Sequence, residues 1–438
     1  MNRPRILFLF LMGAVFALAR DLSAQEQLSP DPVETAYESL DQTLRNHRAE
    51  QESVSQFWKL EQSKSALLTS QASAVIQGVL GQGSIPWLEN QSDPSFTGIP
   101  VVAGREGLLV SFTIPTNDPL ASLRGRSWTY DNAVAAIAFL SQGQLPQARS
   151  VLEALNRLVT PEGTIGFSYQ VDSLGFDPKV RSGTLAWVGY AFAFYQKVTG
   201  DAAYQAAAER IAASLKTLQL EGGLVKGGPD VGWVSTEHNV DSYFFYRELY
   251  RVTGDTGHQA TALEIKNALL TRLWVSDAKG GHFLQGLNDP IPSLDANSWG
   301  AIFLWAVGEN AKANQALKYV ESTFRNTKKI SGSSTRITGY APDAAKKTVW
   351  LEGTLGVSAA YRRVGQLSQS DSILNQVYNL QKDWERRGLW RGALPYAMPR
   401  YQNADGDTFA EWESVTSTGW LNLALALKNV SSPFWDHD

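Results

Sequence analysis

The segment DSYFFYRELYRVTGD, residues 241–255, decides the fold. Its aromatic and aliphatic side chains follow one another with few polar breaks, and the run stops at Gly254. A glycine directly after an apolar run readily takes the left-handed conformation that ends a helix. The segment LAWVGYAFAFYQKVTGD, residues 185–201, has the same pattern and stops at Gly200. We therefore interpret both segments as buried helices of a repeating unit.

The repeat extends along most of the chain. Equivalent glycines follow one another at intervals of 57, 54, 54 and 57 residues, at Gly143, Gly200, Gly254, Gly308 and Gly365. Each follows a strongly apolar stretch and precedes a more polar, amphipathic one. A sixth apolar stretch, TSTGWLNLALALKN, ends at Asn429, and asparagine is the other residue that tolerates the left-handed cap.

A helix that is apolar on all sides must be buried, whereas an amphipathic helix covers a core. Six buried helices with six amphipathic partners predict an all-α fold of two concentric rings, an (α/α)6 toroid. We expect the sixth outer helix at about 367–384, and the partner of the first inner helix between about 34 and 80. An open solenoid is the alternative for a repeat of this length, but solenoid repeats usually have two amphipathic helices.

The N-terminal residues predict export. Arg3 and Arg5 precede an apolar stretch and a small-residue cleavage site, which is typical of a signal peptide over residues 1–24. An uncleaved membrane anchor is the alternative. We expect a periplasmic or secreted bacterial protein with no stable membrane insertion after signal removal. Residues 25–438 then form one toroid domain, in which 25–124 supply helices and a loop segment that packs on or roofs the ring.

The composition of the chain argues against several classes of function. The chain has 438 residues, 43% of them hydrophobic, and a net charge of −4, so it lacks the basic surface that nucleic-acid binding requires. It contains no cysteine, and no pair of its five histidines has the spacing of metal ligands. We therefore expect no cofactor and no metal site. The oligomeric state cannot be predicted from the sequence.

Carboxylates recur near the start of the apolar stretches. Asp131, Asp241, Asp295 and Glu352 lie 12 or 13 residues before their capping glycines, and Glu237 lies one turn further out than Asp241. Inner helices of a toroid run parallel, so side chains at one level should converge in an acid-lined pocket. The alternative is that each acid caps its own helix.

Other residues near these acids are candidate binding groups. Carboxylates between aromatic rings are typical of a carbohydrate cleft, and His238 and Asn239 stand next to Glu237 where they can hold it. Glu413 lies at the start of the sixth apolar stretch, although capping is equally compatible with it. The candidate aromatic residues are Trp128, Tyr130, Trp233, Tyr243, Trp299 and Trp350.

The chain resembles the six-hairpin glycosidase superfamily over roughly residues 125–430, and within it a secreted bacterial group. The motifs that carry the resemblance are SWTYDNAVAAIAFL, STEHNVDSYF, LDANSWGAIFL, VWLEGT and TSTGWLNLAL. The resemblance implies a carbohydrate substrate and, because members commonly invert configuration, an inverting reaction.

Glycoside hydrolysis needs one protonated carboxyl group and one ionised one. We predict Glu237 as the general acid and Asp131 as the base, with Glu352 as the second choice for the base. A polysaccharide lyase using Asn239, His238, Tyr243 and Arg181 is the alternative enzyme. A sugar epimerase and a non-catalytic glycan-binding protein also stay open.

Overall fold

A computed structural model describes residues 81, 83–278, 280–389, 392–404, 406–427 and 432–438. The predicted signal peptide, the helices expected between 34 and 80, and Asn429 lie outside these residues. In the described part of the chain, no helix combines the length and the apolar character needed to cross a bilayer.

The described residues form thirteen α-helices, which alternate between inner and outer positions from the third onwards. They are α1 (Ser84–Asn90), α2 (Pro94–Thr97), α3 (Thr129–Ser141), α4 (Leu145–Leu158), α5 (Ser182–Thr199), α6 (Gln205–Thr217), α7 (Thr236–Thr253), α8 (Thr256–Ala268), α9 (Leu294–Ala306), α10 (Asn310–Phe324), α11 (Leu351–Arg363), α12 (Leu367–Arg386) and α13 (Val415–Ala426).

The inner ring is closed. Helices α3, α5, α7, α9, α11 and α13 each pack against the next, and α13 packs against α3. Their side chains are almost all buried, as predicted for helices without a polar face. The predicted (α/α)6 toroid is therefore confirmed, and the open solenoid is wrong.

Outer helices α4, α6, α8, α10 and α12 each pack against an inner neighbour and bury only one side. Helix α12 begins at Leu367, where the sequence predicted an outer helix. The glycines that define the repeat, from Gly143 to Gly365, all have positive φ, as expected at helix ends.

Short antiparallel strands occupy the loops that lead into the inner helices. They are β1 (Phe112–Thr113), β2 (Arg126–Trp128), β3 (Ser168–Gln170), β4 (Phe176–Asp177), β5 (Trp274–Asp277), β6 (Gly280–Phe283), β7 (Arg325–Lys329), β8 (Arg336–Tyr340), β9 (Val349–Trp350), β10 (Ala397–Met398), β11 (Tyr401–Gln402), β12 (Thr408–Phe409) and β13 (Glu413–Ser414). Strand β1 pairs with β13, so the segment before α3 lies beside the entrance to α13.

A side-chain clamp recurs at the fourth residue of five inner helices. In α7, Asn239 Oδ1 accepts a hydrogen bond from Val225 N at 2.7 Å, and its Nδ2 donates to Val225 O at 3.0 Å. Asn297 binds both backbone groups of Phe283 in the same way. The full set is Asn132, Asn239, Asn297, Thr354 and Thr418. Each clamp fastens the preceding loop to its helix and so fixes where the helix begins.

Residues 432–438 fill the ring from the opposite end. Trp435 stacks on Phe244 of α7 with ring centroids 4.4 Å apart, and it also contacts Trp187 of α5. Arg247 Nη2 pairs with Asp436 Oδ1 at 3.0 Å. Aromatic burial and ion pairing thus hold this segment between the inner helices.

We expect Trp435→Ala to lower the free energy of unfolding by about 3–5 kcal/mol, because a large buried ring leaves a cavity. Trp233→Ala is the matched control, since Trp435 is 1% exposed and Trp233 is 47% exposed. The control should change stability by less than about 1 kcal/mol. Urea denaturation measures both, and equal small losses would show that residues 432–438 do not support the ring.

Candidate active site

The second residues of the six inner helices form a ring. These residues are Tyr130, Gly183, Glu237, Asp295, Glu352 and Thr416. Tyr130 Oη donates a hydrogen bond to Glu352 Oε1 at 2.7 Å, which joins α3 to α11. Glu352 also binds the Thr416 hydroxyl, and the carboxyl groups of Glu237 and Asp295 hydrogen-bond each other. Polar groups from five helices therefore meet at one level.

This crowding alters the proton affinity of the acids. Burial raises the pKa of Glu352 to about 7, the nearby Asp295 adds to the rise, and the Tyr130 and Thr416 hydrogen bonds oppose it. The pKa of Glu237 is also raised well above its usual range, first by burial and then by Asp295 and Asp241. Glu237 is nevertheless partly exposed, so a substrate can reach it.

Asp241 lies one turn deeper than Glu237, Asp295 and Glu352. Helix α7 has 18 residues and α9 has 13. A count back from the capping glycines therefore aligns Asp241 with Asp295, although Asp241 lies one turn further along its helix. The clamp at Asn239 shows that Glu237, not Asp241, corresponds to Asp295. Asp241 is 2% exposed, and burial and the Asp295 carboxylate raise its pKa well above the usual range.

Asp131 is the third residue of its helix, so it also falls outside the ring of second residues. It binds the Ser111 hydroxyl and is buried. Burial raises its pKa well above the usual range, and Glu352 adds to that effect. These surroundings favour the protonated form of Asp131, which is a poor base.

The His238 ring lies against Gly183, the second residue of α5, which has no side chain to fill this place in the ring. A Cβ atom at Gly183 would lie 2.6 Å from His238 Cδ2, so only glycine leaves room for the ring. His238 Nδ1 lies 3.0 Å from Ser182 Oγ. Burial lowers the pKa of His238 to about 4, and the charge of Arg181 contributes. The imidazole is therefore neutral at neutral pH.

Tryptophans form a second layer beneath the ring. Trp187, Trp299 and Trp420 are the sixth residues of their helices, one turn below the second residues. Trp420 Nε1 donates to Tyr130 Oη at 3.0 Å, and Trp299 stacks on Trp420 at 5.4 Å. Trp299 is 1% exposed, so it presents almost no surface on which a sugar could stack. It supports the ring from below.

An aromatic wall borders the site beside Glu352. Tyr396 stacks on Phe409 at 5.5 Å and meets Trp350 and Phe112 edge-on. The predicted residue Trp128 packs edge-on against Phe112. Trp350 is buried in this wall, so it presents little surface to a ligand.

The sequence reasoning missed Tyr396. Burial, followed by the Glu352 and Asp131 charges, raises its pKa well above the usual range, which places its hydroxyl among the acids. It lies in the loop before α13, where no repeat pattern marks it. Its neighbours in LPYAMPRY, two prolines and two further aromatic or sulfur-containing side chains, were the available signal.

Three other predicted site residues lie elsewhere. Asn239 is fully buried as a clamp. Tyr243 points about 200° around α7 from Asp241, and its hydroxyl donates to Asp438 Oδ1 at 2.6 Å below the layers. Glu413 accepts a hydrogen bond from Trp384 Nε1 of outer helix α12 at 3.4 Å. Helical periodicity and strand geometry thus turn these side chains away from the ring.

Within the described residues, no group of three or more His, Asp or Glu side chains is arranged to hold a metal ion. Of the described histidines, His238 alone lies at the ring; His258 pairs with Glu209, His282 stacks on Tyr319, and His437 contacts Trp305.

Known structures share this architecture. A glycosidase variant solved in complex with glucose matches with a TM-score of 0.60 and 13% identity, covering 82% of this chain and 98% of that one. The chain shares its fold. A cellobiose 2-epimerase from Bacillus thermoamylovorans matches with a TM-score of 0.53 and 11% identity, covering 78% of this chain and 97% of that one. A sugar epimerase from a ruminal bacterium gives 0.53 and 12%, covering 82% and 100%.

No protein-family model matches the chain, and no curated protein matches its sequence. Identities this low show a common toroid and leave the reaction to be argued from the site itself.

The raised pKa of Glu352 predicts a stability that falls as pH rises. Its folded-state pKa of about 7 exceeds the ordinary value of 4.5, so the native protein binds a proton that the unfolded chain releases. The contribution is complete below pH 4.5 and is lost as pH rises to 7, by about 3 kcal/mol at most. Denaturant unfolding across this range should show the loss.

Glu352→Gln should remove this contribution and make the loss of stability with rising pH less steep, because glutamine does not ionise. Exposed Glu162 provides the control, and Glu162→Gln should leave the wild-type slope unchanged. An equally steep slope in Glu352→Gln would mean that Glu352 ionises as freely in the native protein as in the unfolded chain.

Proposed function

We propose that the chain is a periplasmic or secreted glycoside hydrolase that cleaves an oligosaccharide or polysaccharide. The observation that carries the proposal is the convergence of Glu237, Asp295 and Glu352 at one level of the ring, above a tryptophan layer. Carboxyl groups in a site of low dielectric can differ in protonation, which is what glycosidic cleavage requires. The structural similarity to a glycosidase is consistent with this chemistry.

Glu237 is the general acid of the proposal. It is partly exposed, and burial together with the neighbouring Asp295 and Asp241 raises its pKa, which favours the protonated form that a general acid needs. Asp295 Oδ1 accepts hydrogen bonds from Ser293 Oγ and from Ala296 N, the latter at 2.8 Å, which fix its orientation next to Glu237. A proton held in this way can be passed to the leaving oxygen as the glycosidic bond breaks.

Glu352 replaces Asp131 as the base. The Tyr130 and Thr416 hydroxyl groups donate to the Glu352 carboxylate and so stabilise its charged form. With a pKa of about 7, a large share of Glu352 is ionised at neutral pH and able to take a proton from water. Attack by that water opposite the leaving group would invert the configuration, as the superfamily resemblance implies.

The alternative enzymes fit the site less well. The lyase proposal needs Asn239 and Tyr243 in the cleft, whereas Asn239 is a buried clamp and Tyr243 binds Asp438. An epimerase that removes a proton from carbon needs a strong base. The imidazole at the ring, His238, has a pKa lowered to about 4 and is a weak one. Reducing ends released from an oligosaccharide distinguish hydrolysis from epimerisation.

The test of the proposal is Glu237→Gln, which keeps the shape of the side chain and removes its proton. Turnover of a natural oligosaccharide should fall by about two to four orders of magnitude, the usual contribution of a general acid. An aryl glycoside with a good leaving group needs little protonation, so its hydrolysis should fall far less. Chromatography of released sugars and release of the aryl group measure the two rates.

Glu352→Gln should instead slow both substrates alike, because water must be activated whatever the leaving group. Equal losses on both substrates for Glu237→Gln would assign the two roles the other way round. Full activity in both variants would show that these acids only stabilise helix starts.

A further inference from the structure

Trp233 stands apart from the other tryptophans in the described part of the chain. Its side chain is 47% exposed, whereas those of the layer beneath the ring are buried. It lies in the loop that leads into α7, four residues before Glu237. Ligand sites are typically lined by aromatic side chains together with a few polar groups. We propose that Trp233 forms a subsite that stacks a neutral sugar on the leaving-group side of the cleft; this rests on the proposed function.

The loop is shaped to present this ring. A Cβ atom at Gly227 would lie 2.0 Å from the Trp233 ring, so the indole packs directly on the glycine backbone. Gly227 N donates to Trp233 O at 2.8 Å, which ties the two ends of the loop together. The Arg181 guanidinium lies over the ring at 6.0 Å. Gly227 is therefore the residue that sets the position of Trp233.

The position of Trp233 relative to Glu237 indicates which sugar of the substrate it would contact. Its ring meets the ring of His238 edge-on at 5.3 Å, and His238 directly follows Glu237. Glu237 is the proposed donor to the leaving oxygen, so the sugar that departs lies on its side of the scissile bond. The Trp233 subsite therefore holds the leaving sugar, and the substrate has at least two residues.

Charge restricts which sugar fits. Arg181 Nη1 pairs with Asp230 Oδ1 at 2.7 Å and also donates to Val180 O at 2.8 Å. A uronate would therefore have to compete with Asp230 for this guanidinium. A neutral pyranose, which stacks its C–H face on an indole and hydrogen-bonds at its edge, matches this surface.

The experiment compares three variants on a panel of neutral α- and β-linked di- and trisaccharides and the corresponding glycosyl fluorides. Trp233→Ala removes the ring, and Gly227→Ala displaces it. Gly232→Ala is the matched control in the same loop, because a Cβ atom there meets nothing within 4 Å. Glycosyl fluorides carry no leaving sugar, so they report on the catalytic groups alone.

We expect Trp233→Ala and Gly227→Ala to lower kcat/KM on the oligosaccharides about tenfold, mainly through a higher KM. Rates on the fluorides should stay within about twofold of wild type, and Gly232→Ala should resemble wild type on both. Trp233 is exposed, so Trp233→Ala keeps the test decisive if Gly227→Ala fails to fold. Equal losses on both substrate classes, or no loss on either, would overturn the subsite.

Failure of the hydrolase proposal is separable from failure of the subsite. If the wild-type protein cleaves nothing in the panel, isothermal titration calorimetry with the same oligosaccharides tests the subsite through binding affinity instead. A roughly tenfold weaker affinity in Trp233→Ala and Gly227→Ala, with Gly232→Ala unchanged, supports a neutral-sugar site at Trp233. Equal affinities in all proteins, or no binding to wild type, overturns it.

Discussion

The clamp at the fourth residue of the inner helices is the interaction on which the rest of the structure depends. A single amide, as in Asn239 or Asn297, satisfies both the N–H and the C=O of a loop residue 14 positions earlier. An unpaired buried backbone group is costly, so this geometry strongly favours one starting point for each of the five helices that carry the clamp. Because the helices start at one level, their second residues meet at the centre of the ring.

The tryptophan layer and Trp435 beneath the ring of second residues explain why the pKa values of the acids are shifted. Tryptophans at the sixth helical positions exclude water from beneath the acids, and Trp435 packs against them from the far end. A dry layer raises the cost of ionisation, which is the main reason that the pKa of Glu352 reaches about 7. Hydrogen bonds from the hydroxyl groups of Tyr130 and Thr416 stabilise the Glu352 carboxylate and so oppose part of this rise in pKa. Burial and hydrogen bonding thus act on one carboxyl group in opposite directions.

The sequence predicted the ring of inner helices correctly, but it did not predict the level of every acid along its helix. Apolar helices that end at glycine are a local signal, because the left-handed cap and the buried face both act within one segment. Helix length is not local: α7 is one turn longer than α9 because of where its loop is clamped, so Asp241 was placed one layer too high. The burial of Trp299 depends on Trp420 from a distant part of the chain, and the position of Tyr396 depends on a loop between α12 and α13. The pattern of residues within a single segment cannot predict contacts of this kind, because the partners lie in distant parts of the sequence.

The assignment of Glu237 and Glu352 is tested most directly by a crystal structure of the Glu352→Gln variant soaked with a mixture of neutral oligosaccharides. We expect a sugar chain across the ring of second residues, with a glycosidic oxygen about 3 Å from the Glu237 carboxyl group and the anomeric carbon facing residue 352. A sugar bound outside this ring, or one with no glycosidic oxygen within hydrogen-bonding reach of Glu237, would contradict this assignment.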